Sequence, residues 1–154
     1  MNFETIAIRT QTERTQHKEH STPIFPSSSF VFDDAEEMRA VFAEEKPGNV
    51  YSRYSNPSVR EFEVKMALLE KSEEALATAS GMSAIFTAFA SLLKAGDHVL
   101  MSQAVFGSTI KLMENFFNKW DISHSNIIGT DLNIWKDGFK SNTRIVYVET
   151  PSNP

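Results

Sequence analysis

The chain has 154 residues, of which 41% are hydrophobic and 23% charged, as is typical of a globular rather than a disordered protein. Its formal net charge of −5, with basic residues scattered along the sequence, argues against a nucleic-acid partner. The absence of cysteine excludes disulfides, thiolate catalysis and cysteine-based zinc sites. Met1–Thr10 lacks the apolar core of a signal peptide, and no apolar run is long enough to span a membrane, so we expect a cytoplasmic protein.

The N-terminal segment carries few helical signals. Residues 23–30 contain two prolines and a serine run, which predicts an extended conformation. Buried-type side chains occur here without a core of their own, which suggests an arm lying on another body such as a partner subunit; a free terminus is the alternative. Asp33 and Asp34 are then expected to cap a short amphipathic helix that Pro47-Gly48 stops.

A polar and aromatic loop, 49–57, separates this helix from the next one. Ser58 is a suitable N-cap residue, and apolar residues recur after it at helical spacing. The remaining chain alternates between strand and helix patterns, which predicts a parallel sheet with helices on its faces. The predicted strands are 74–78, 98–101, 122–128 and 144–148, and the predicted helices are 85–94, 108–119 and 132–139.

The turn Ala79–Ala84 is the first candidate site. A strand that enters a helix through small residues presents unpaired backbone N–H groups and the positive end of the helix dipole, which favours a phosphate. Gly81 allows close approach, and Ser80 offers a hydroxyl, although such a turn is also an ordinary helix cap.

Ligands of parallel α/β sheets bind beyond the carboxyl ends of the strands. The loops Ser80–Ser83, Ser102–Gly107 and Glu149–Pro154 are all expected at that edge. Because the sequence stops directly after a buried-type strand, we expect it to be the N-terminal part of a longer protein. The histidines have no metal-ligand spacing, so no metal site is expected and structural roles are favoured; they are His17, His20, His98 and His124.

Three motifs in this order, Tyr51–Pro57, Ala79–Ala84 and Glu149–Pro154, resemble the Cys/Met-metabolism family of pyridoxal-phosphate (PLP) enzymes. The resemblance covers nearly the whole chain and implies an α/β fold, the PLP-dependent transferase fold type I (aspartate-aminotransferase-like). It implies that residues 1–48 form an arm and short helix that contact a partner subunit. Residues 49–154 would then form the first part of the large PLP-binding domain.

The resemblance also implies roles for individual residues. Tyr51 and Arg53 match the pair that reaches into a neighbouring subunit and holds the cofactor phosphate, a role that suits the forked donors of a guanidinium. The alternative is an arginine on a solvated loop with tyrosines beside it. Ser80, Gly81 and Met82 match the turn whose N–H groups and hydroxyl bind the same phosphate.

Asn153 matches the asparagine that bonds the hydroxyl oxygen of the cofactor ring, the alternative being a simple turn residue. Glu149 precedes it at a strand end, where glutamate is commonly structural. Phe106 stands where many members carry a tyrosine stacked on the pyridine ring; it keeps the stacking and loses the phenolic acid/base, unless it is merely a core residue. This loss weakens a lyase interpretation and favours the O-succinylhomoserine sulfhydrylases among the family.

The implied reaction is a PLP-dependent γ-replacement on O-succinylhomoserine or O-acetylhomoserine with sulfide, giving homocysteine for methionine biosynthesis in a homodimer or homotetramer with a shared site. Cystathionine γ-synthase, which uses cysteine, is the alternative. No lysine here follows the Ser-x-Thr-Lys-type motif of the family's Schiff-base lysine, so no catalytic residue is expected in this chain. We expect the 154 residues alone to be inactive, which leaves a non-catalytic dimerisation or phosphate-binding module as a further alternative for them.

Overall fold

The computed structural model describes residues 2–9 and 14–152. It divides into two compact units, Met1–Ala77 and Thr78–Pro154. The predicted division into an arm, 1–48, and a cofactor domain, 49–154, concerns the whole protein and stays a prediction. Among the described residues, no helix is both long and apolar enough to cross a membrane.

The first unit is helical, with α1 at Phe3–Arg9, α2 at Ala35–Phe42 and α3 at Pro57–Glu70. Helix α1 shows that the expectation of few helical signals at the N-terminus was wrong. Its first turn is capped by Asn2, whose Oδ1 accepts the N–H of Thr5 at 3.0 Å. Helix α1 packs against α3 within this unit.

The N-cap predicted from the sequence is confirmed for α2 and wrong for α3. Asp34 caps α2 as predicted, since its carboxylate accepts the N–H of Glu37 at 2.7 Å. The cap of α3 is Asn56, with Pro57 in the first helical position, and the predicted cap Ser58 lies inside the first turn. The Ser58 hydroxyl instead accepts the N–H of Phe25 at 2.8 Å.

The predicted strand 74–78 does not form, and this stretch is irregular. Its polar groups are engaged by α3 rather than by a neighbouring strand. The N–H of Ala77 donates to the Glu63 carboxylate at 2.9 Å, and Glu74 pairs with Arg60 at 2.8 Å. An apolar run becomes a strand only where another strand can satisfy its backbone groups, and here the N–H of Ala77 is satisfied by a side chain instead.

The second unit has the predicted α/β architecture. Its elements in chain order are α4 (Gly81–Leu92), β1 (His98–Ser102), α5 (Gly107–Asn115), a 3₁₀ turn (Phe117–Trp120), β2 (Ser123–Ile127), α6 (Leu132–Asp137) and β3 (Thr143–Tyr147). The strands are parallel in the order β2-β1-β3, and β1 is central. The carboxyl ends of all three strands therefore lie at one edge of the sheet.

The core of this unit lies between α4, α5 and one face of the sheet. Val99 and Met101 of β1 are fully buried there together with Met113 and Phe117, and Phe89 of α4 packs among them. The rings of Phe89 and Phe117 meet edge to face with centroids 5.8 Å apart. This packing fixes α4 on the sheet.

His98 on the opposite face confirms its predicted structural role. It is fully buried, with Nδ1 2.8 Å from the Thr143 hydroxyl and Nε2 2.9 Å from the Ser125 hydroxyl, so it joins all three strands. Burial, followed by the charges of Lys140 and His124, holds the pKa of His98 below its usual 6.5. The neutral imidazole is thus the form that the fold favours.

Candidate functional site

The turn before α4 is shaped to receive an anion. Ser80 has an extended backbone and caps α4 by accepting the N–H of Ser83 at 3.1 Å, while the two hydroxyls lie 3.0 Å apart. Among the described residues, nothing accepts the N–H of Gly81 or of Met82, as expected for the first turn of a helix. A Cβ built on Gly81 would meet no atom within 4 Å, so the space beside these donors is open.

The orientation of α4 follows from its connection to β1. A short turn, 93–97, joins the end of α4 to the start of β1, so the helix returns along the sheet and its N-terminus faces the carboxyl edge. The positive end of its dipole therefore lies on the side where ligands of parallel sheets bind. This end of α4 therefore suits a phosphate monoester, because it combines the Ser80 hydroxyl, the free N–H groups and the positive end of the helix dipole.

Glu149 holds together the loops that follow β1 and β3. One carboxylate oxygen accepts the N–H of Phe106 at 2.9 Å, and the other accepts the hydroxyl of Tyr147 at 3.1 Å. Two of the loops that the sequence placed at the carboxyl edge therefore meet there. Phe106 begins α5 without a side-chain cap and is 42% exposed, so it is not a core residue in this unit.

Tyr147 is a site residue that the sequence did not single out. It ends β3, its ring contacts Phe89 at 5.2 Å between centroids, and its hydroxyl meets Glu149. Burial, followed by the hydrogen bond and the negative charge of Glu149, raises the pKa of Tyr147 above its usual 10.0. The phenol is therefore neutral at physiological pH and serves as a donor that orients the carboxylate. Its place near the end of the apolar run 145–148, directly before the charged Glu149, was the available signal.

Tyr51 and Arg53 lie in the first unit, on an exposed turn. The guanidinium carbon of Arg53 is 5.2 Å from the ring centroid of Tyr51 and 5.4 Å from that of Tyr54. Among the described residues the Arg53 guanidinium has no carboxylate or hydrogen-bond acceptor, so its forked donors are open to an anion. By contrast, the guanidinium of Arg60 is engaged by Glu74.

The predicted site residues thus fall into two groups, each placed within its own unit. Tyr51 and Arg53 belong to the first unit, and the Ser80–Met82 turn and Phe106 belong to the second. Asn153 lies outside the described residues. Among the residues that are described, no group of three or more His, Cys, Asp or Glu side chains is placed to hold a metal.

A family model for Cys/Met metabolism PLP-dependent enzymes matches residues 4–154. The chain belongs to this family. It is 49% identical over 152 residues to the O-succinylhomoserine sulfhydrylase of Pseudomonas aeruginosa, covering 99% of this chain and 38% of that protein. It is 39% identical over 150 residues to an L-methionine gamma-lyase of Fusobacterium nucleatum, covering 97% of this chain and 38% of that protein.

The fold is confirmed by a solved structure. A putative O-acetylhomoserine (thiol)-lyase of Campylobacter jejuni, crystallised with N'-pyridoxyl-lysine-5'-monophosphate, superposes with a TM-score of 0.90 at 28% identity. The match covers 100% of this chain and 38% of that one. The chain therefore has the fold of the PLP-dependent family over its length, and it spans 38% of the relatives named here.

Proposed function

We propose that the whole protein is a PLP-dependent transferase that replaces the γ-acyloxy group of O-succinylhomoserine, or O-acetylhomoserine, with sulfide to form homocysteine. The observation that carries this proposal is the open donor set of the Ser80–Met82 turn in a chain of the PLP-dependent family. The 49% identity to an O-succinylhomoserine sulfhydrylase supports the choice of substrate.

Several residues of this chain are expected to hold the cofactor. The N–H groups of Gly81 and Met82 would bind the phosphate, because they have no acceptor among the described residues and lie at a helix N-terminus. The Ser80 hydroxyl, which caps the same helix, would bind it beside them. Tyr51 and Arg53 would bind the same phosphate from a neighbouring subunit of a homodimer or homotetramer. PLP, when bound, supplies an electron-withdrawing ring that stabilises the negative charge left by the departing α- and β-protons.

Phe106 and Asn153 are expected to act on the ring rather than on the phosphate. The exposed Phe106 side chain offers an aromatic face for stacking, and Glu149 holds its backbone. The amide of Asn153 would donate to the ring hydroxyl oxygen. Because Phe106 has no hydroxyl, it can neither take nor give a proton, which favours replacement over the elimination chemistry of the methionine γ-lyase relative.

The test is to assay the purified whole protein with PLP and O-succinylhomoserine, and to identify the product by mass. Homocysteine formed with sulfide supports the proposal. Cystathionine formed faster with cysteine would instead identify a cystathionine γ-synthase, and rapid 2-oxobutanoate release without any acceptor would identify a lyase. An assay of the 154 residues alone is the companion control, since we expect them to lack turnover and to act at most as a binding or dimerisation module.

A further inference from the structure

The turn that carries Tyr51 and Arg53 is built against an extended segment, 25–30. The two pieces form a short antiparallel ladder with a bridge between Ser29 and Tyr51. The N–H of Ser52 donates to the carbonyl of Ser28 at 2.9 Å, and the Ser52 hydroxyl donates to the carbonyl of Ser27. The backbone of the turn is therefore positioned by the arm rather than by a helix or a sheet.

Asn56 is the buried polar residue that joins these pieces. The residue is only 7% exposed. The Nδ2 group faces the carbonyls of Phe25 and Ser27 at 3.1 and 3.3 Å and the Ser52 hydroxyl at 2.9 Å. The Oδ1 atom accepts the N–H of Ser58 at 2.8 Å and so caps α3.

These contacts determine which way the amide points. With the amide reversed, Oδ1 would face two carbonyl oxygens and Nδ2 would face an N–H donor, and neither arrangement makes a hydrogen bond. The two ends of the carboxamide therefore have different tasks. The oxygen caps the helix, and the nitrogen fastens the arm segment to the turn.

Arg53 depends on that fastening for its own placement. Its guanidinium touches only the rings of Tyr51 and Tyr54 among the described residues, so no ion pair fixes its position. The turn is closed by the N–H groups of Tyr54 and Ser55, which both donate to the carbonyl of Tyr51, at 2.8 and 3.1 Å. A side chain without fixed partners is only as well placed as its backbone.

We propose that Asn56 is a positioning residue for phosphate binding: its Nδ2 donors lock the arm segment onto the turn and so preorganise Tyr51 and Arg53 for the cofactor phosphate. The proposal rests on the phosphate-binding role given to Arg53 in the proposed function. If the turn is ordered before PLP binds, binding does not carry the entropic cost of ordering it. The gain in affinity should therefore depend on the phosphate and not on the ring.

The informative variant is Asn56→Asp in the whole protein. Aspartate keeps the helix cap, since it is as good an N-cap as asparagine, but it replaces the Nδ2 donors by an oxygen that faces two carbonyls. Asn49→Asp is the matched control, because it makes the same chemical change in the same loop at a half-buried side chain. Arg53→Ala and the double variant Arg53→Ala/Asn56→Asp complete the set.

Each variant is titrated with PLP and with pyridoxal, which lacks the phosphate, and backbone hydrogen exchange is followed for segments 25–30 and 50–55. We expect Asn56→Asp to weaken PLP binding about tenfold and to leave pyridoxal binding within about twofold. Exchange in both segments should become faster, and the Asn49→Asp control should match the parent. Asn56→Asp should weaken PLP binding less in the Arg53→Ala background than in the parent.

Equal weakening of PLP and pyridoxal would overturn the proposal, because a general structural defect does not distinguish the two ligands. Additive effects of the two substitutions would also overturn it, since Asn56 would then not act through Arg53. If Arg53→Ala itself left the preference for PLP over pyridoxal unchanged, the phosphate role in the proposed function would fail together with this proposal. The failure of Asn56→Asp alone would leave that role intact.

Discussion

Glu149 is predicted to hold Phe106 in place by a hydrogen bond rather than by its charge. Its carboxylate bridges the Phe106 N–H at 2.9 Å and the Tyr147 hydroxyl at 3.1 Å. Glu149→Ala removes both acceptors. Glu149→Gln can keep both contacts, because its carbonyl can accept from Phe106 while its amide donates to the Tyr147 hydroxyl, which is able to accept.

The magnitude follows from the kind of bond and its exposure. A hydrogen bond to a charged group contributes about 1.5–3 kcal/mol, and the exposed Phe106 contact belongs at the lower end of that range. Losing about 1.5 kcal/mol in Glu149→Ala corresponds to roughly tenfold faster opening. A neutral bond is about half as strong, so Glu149→Gln should speed opening only about threefold.

The assay is hydrogen exchange at the Phe106 amide in the cofactor-free whole protein, read from peptides that span 103–108. Exchange should be fastest in Glu149→Ala, slower in Glu149→Gln and slowest in the parent. An unchanged rate in Glu149→Ala would show that this bond does not hold the loop. Equal acceleration in Glu149→Gln and Glu149→Ala would show that the charge, and not the hydrogen bond, is what matters.

Three further outcomes are expected. Gly138→Ala should destabilise the protein by about 1 kcal/mol or more, measured by urea unfolding, because the added Cβ would lie 2.9 Å from the buried side chains of Leu100 and Ile127. Overpacking of this kind costs about 1–3 kcal/mol, whereas the lower entropy of the unfolded chain returns only about 0.4–1 kcal/mol. Burial lowers the pKa of His98, so its contribution to stability is fully present at a pH above its usual pKa of 6.5. The free energy of unfolding should fall as the pH is lowered from 6.5 through the lowered pKa of the folded protein. Ser80→Ala should destabilise the protein by about 0.5–2 kcal/mol, because the cap of α4 is lost. In ligand titrations the same variant should bind PLP more weakly and pyridoxal unchanged, and equal weakening of both would contradict a phosphate contact.

The strands of the second unit and the start of α4 could be predicted from the sequence, because local pattern and global packing agree there. The β-branched run 144–148 and the apolar run 98–101 form adjacent parallel strands, and the Ser80 turn opens a helix. The stretch 74–78 was mistaken for a strand because the decisive fact was non-local. The N–H of Ala77 donates to the Glu63 side chain of α3, which a short sequence window does not reveal.

Capping chemistry explains the errors in the first unit. Asn2 begins a helix that hydrophobic periodicity did not show, and Asn56 rather than Ser58 caps α3. Both asparagines were visible in the sequence, but an asparagine suits a turn as well as a cap. The partner of Glu149 was beyond prediction from pattern alone, since the N–H of Phe106 is 43 residues away along the chain.

The most direct test of the cofactor site is a crystal structure of the whole protein with PLP bound. We expect phosphate oxygens within about 3.2 Å of the Ser80 hydroxyl and of the N–H groups of Gly81 and Met82. The guanidinium of Arg53 should reach the same phosphate from a neighbouring subunit. A phosphate bound elsewhere, with the first turn of α4 facing only solvent, would contradict the proposed site.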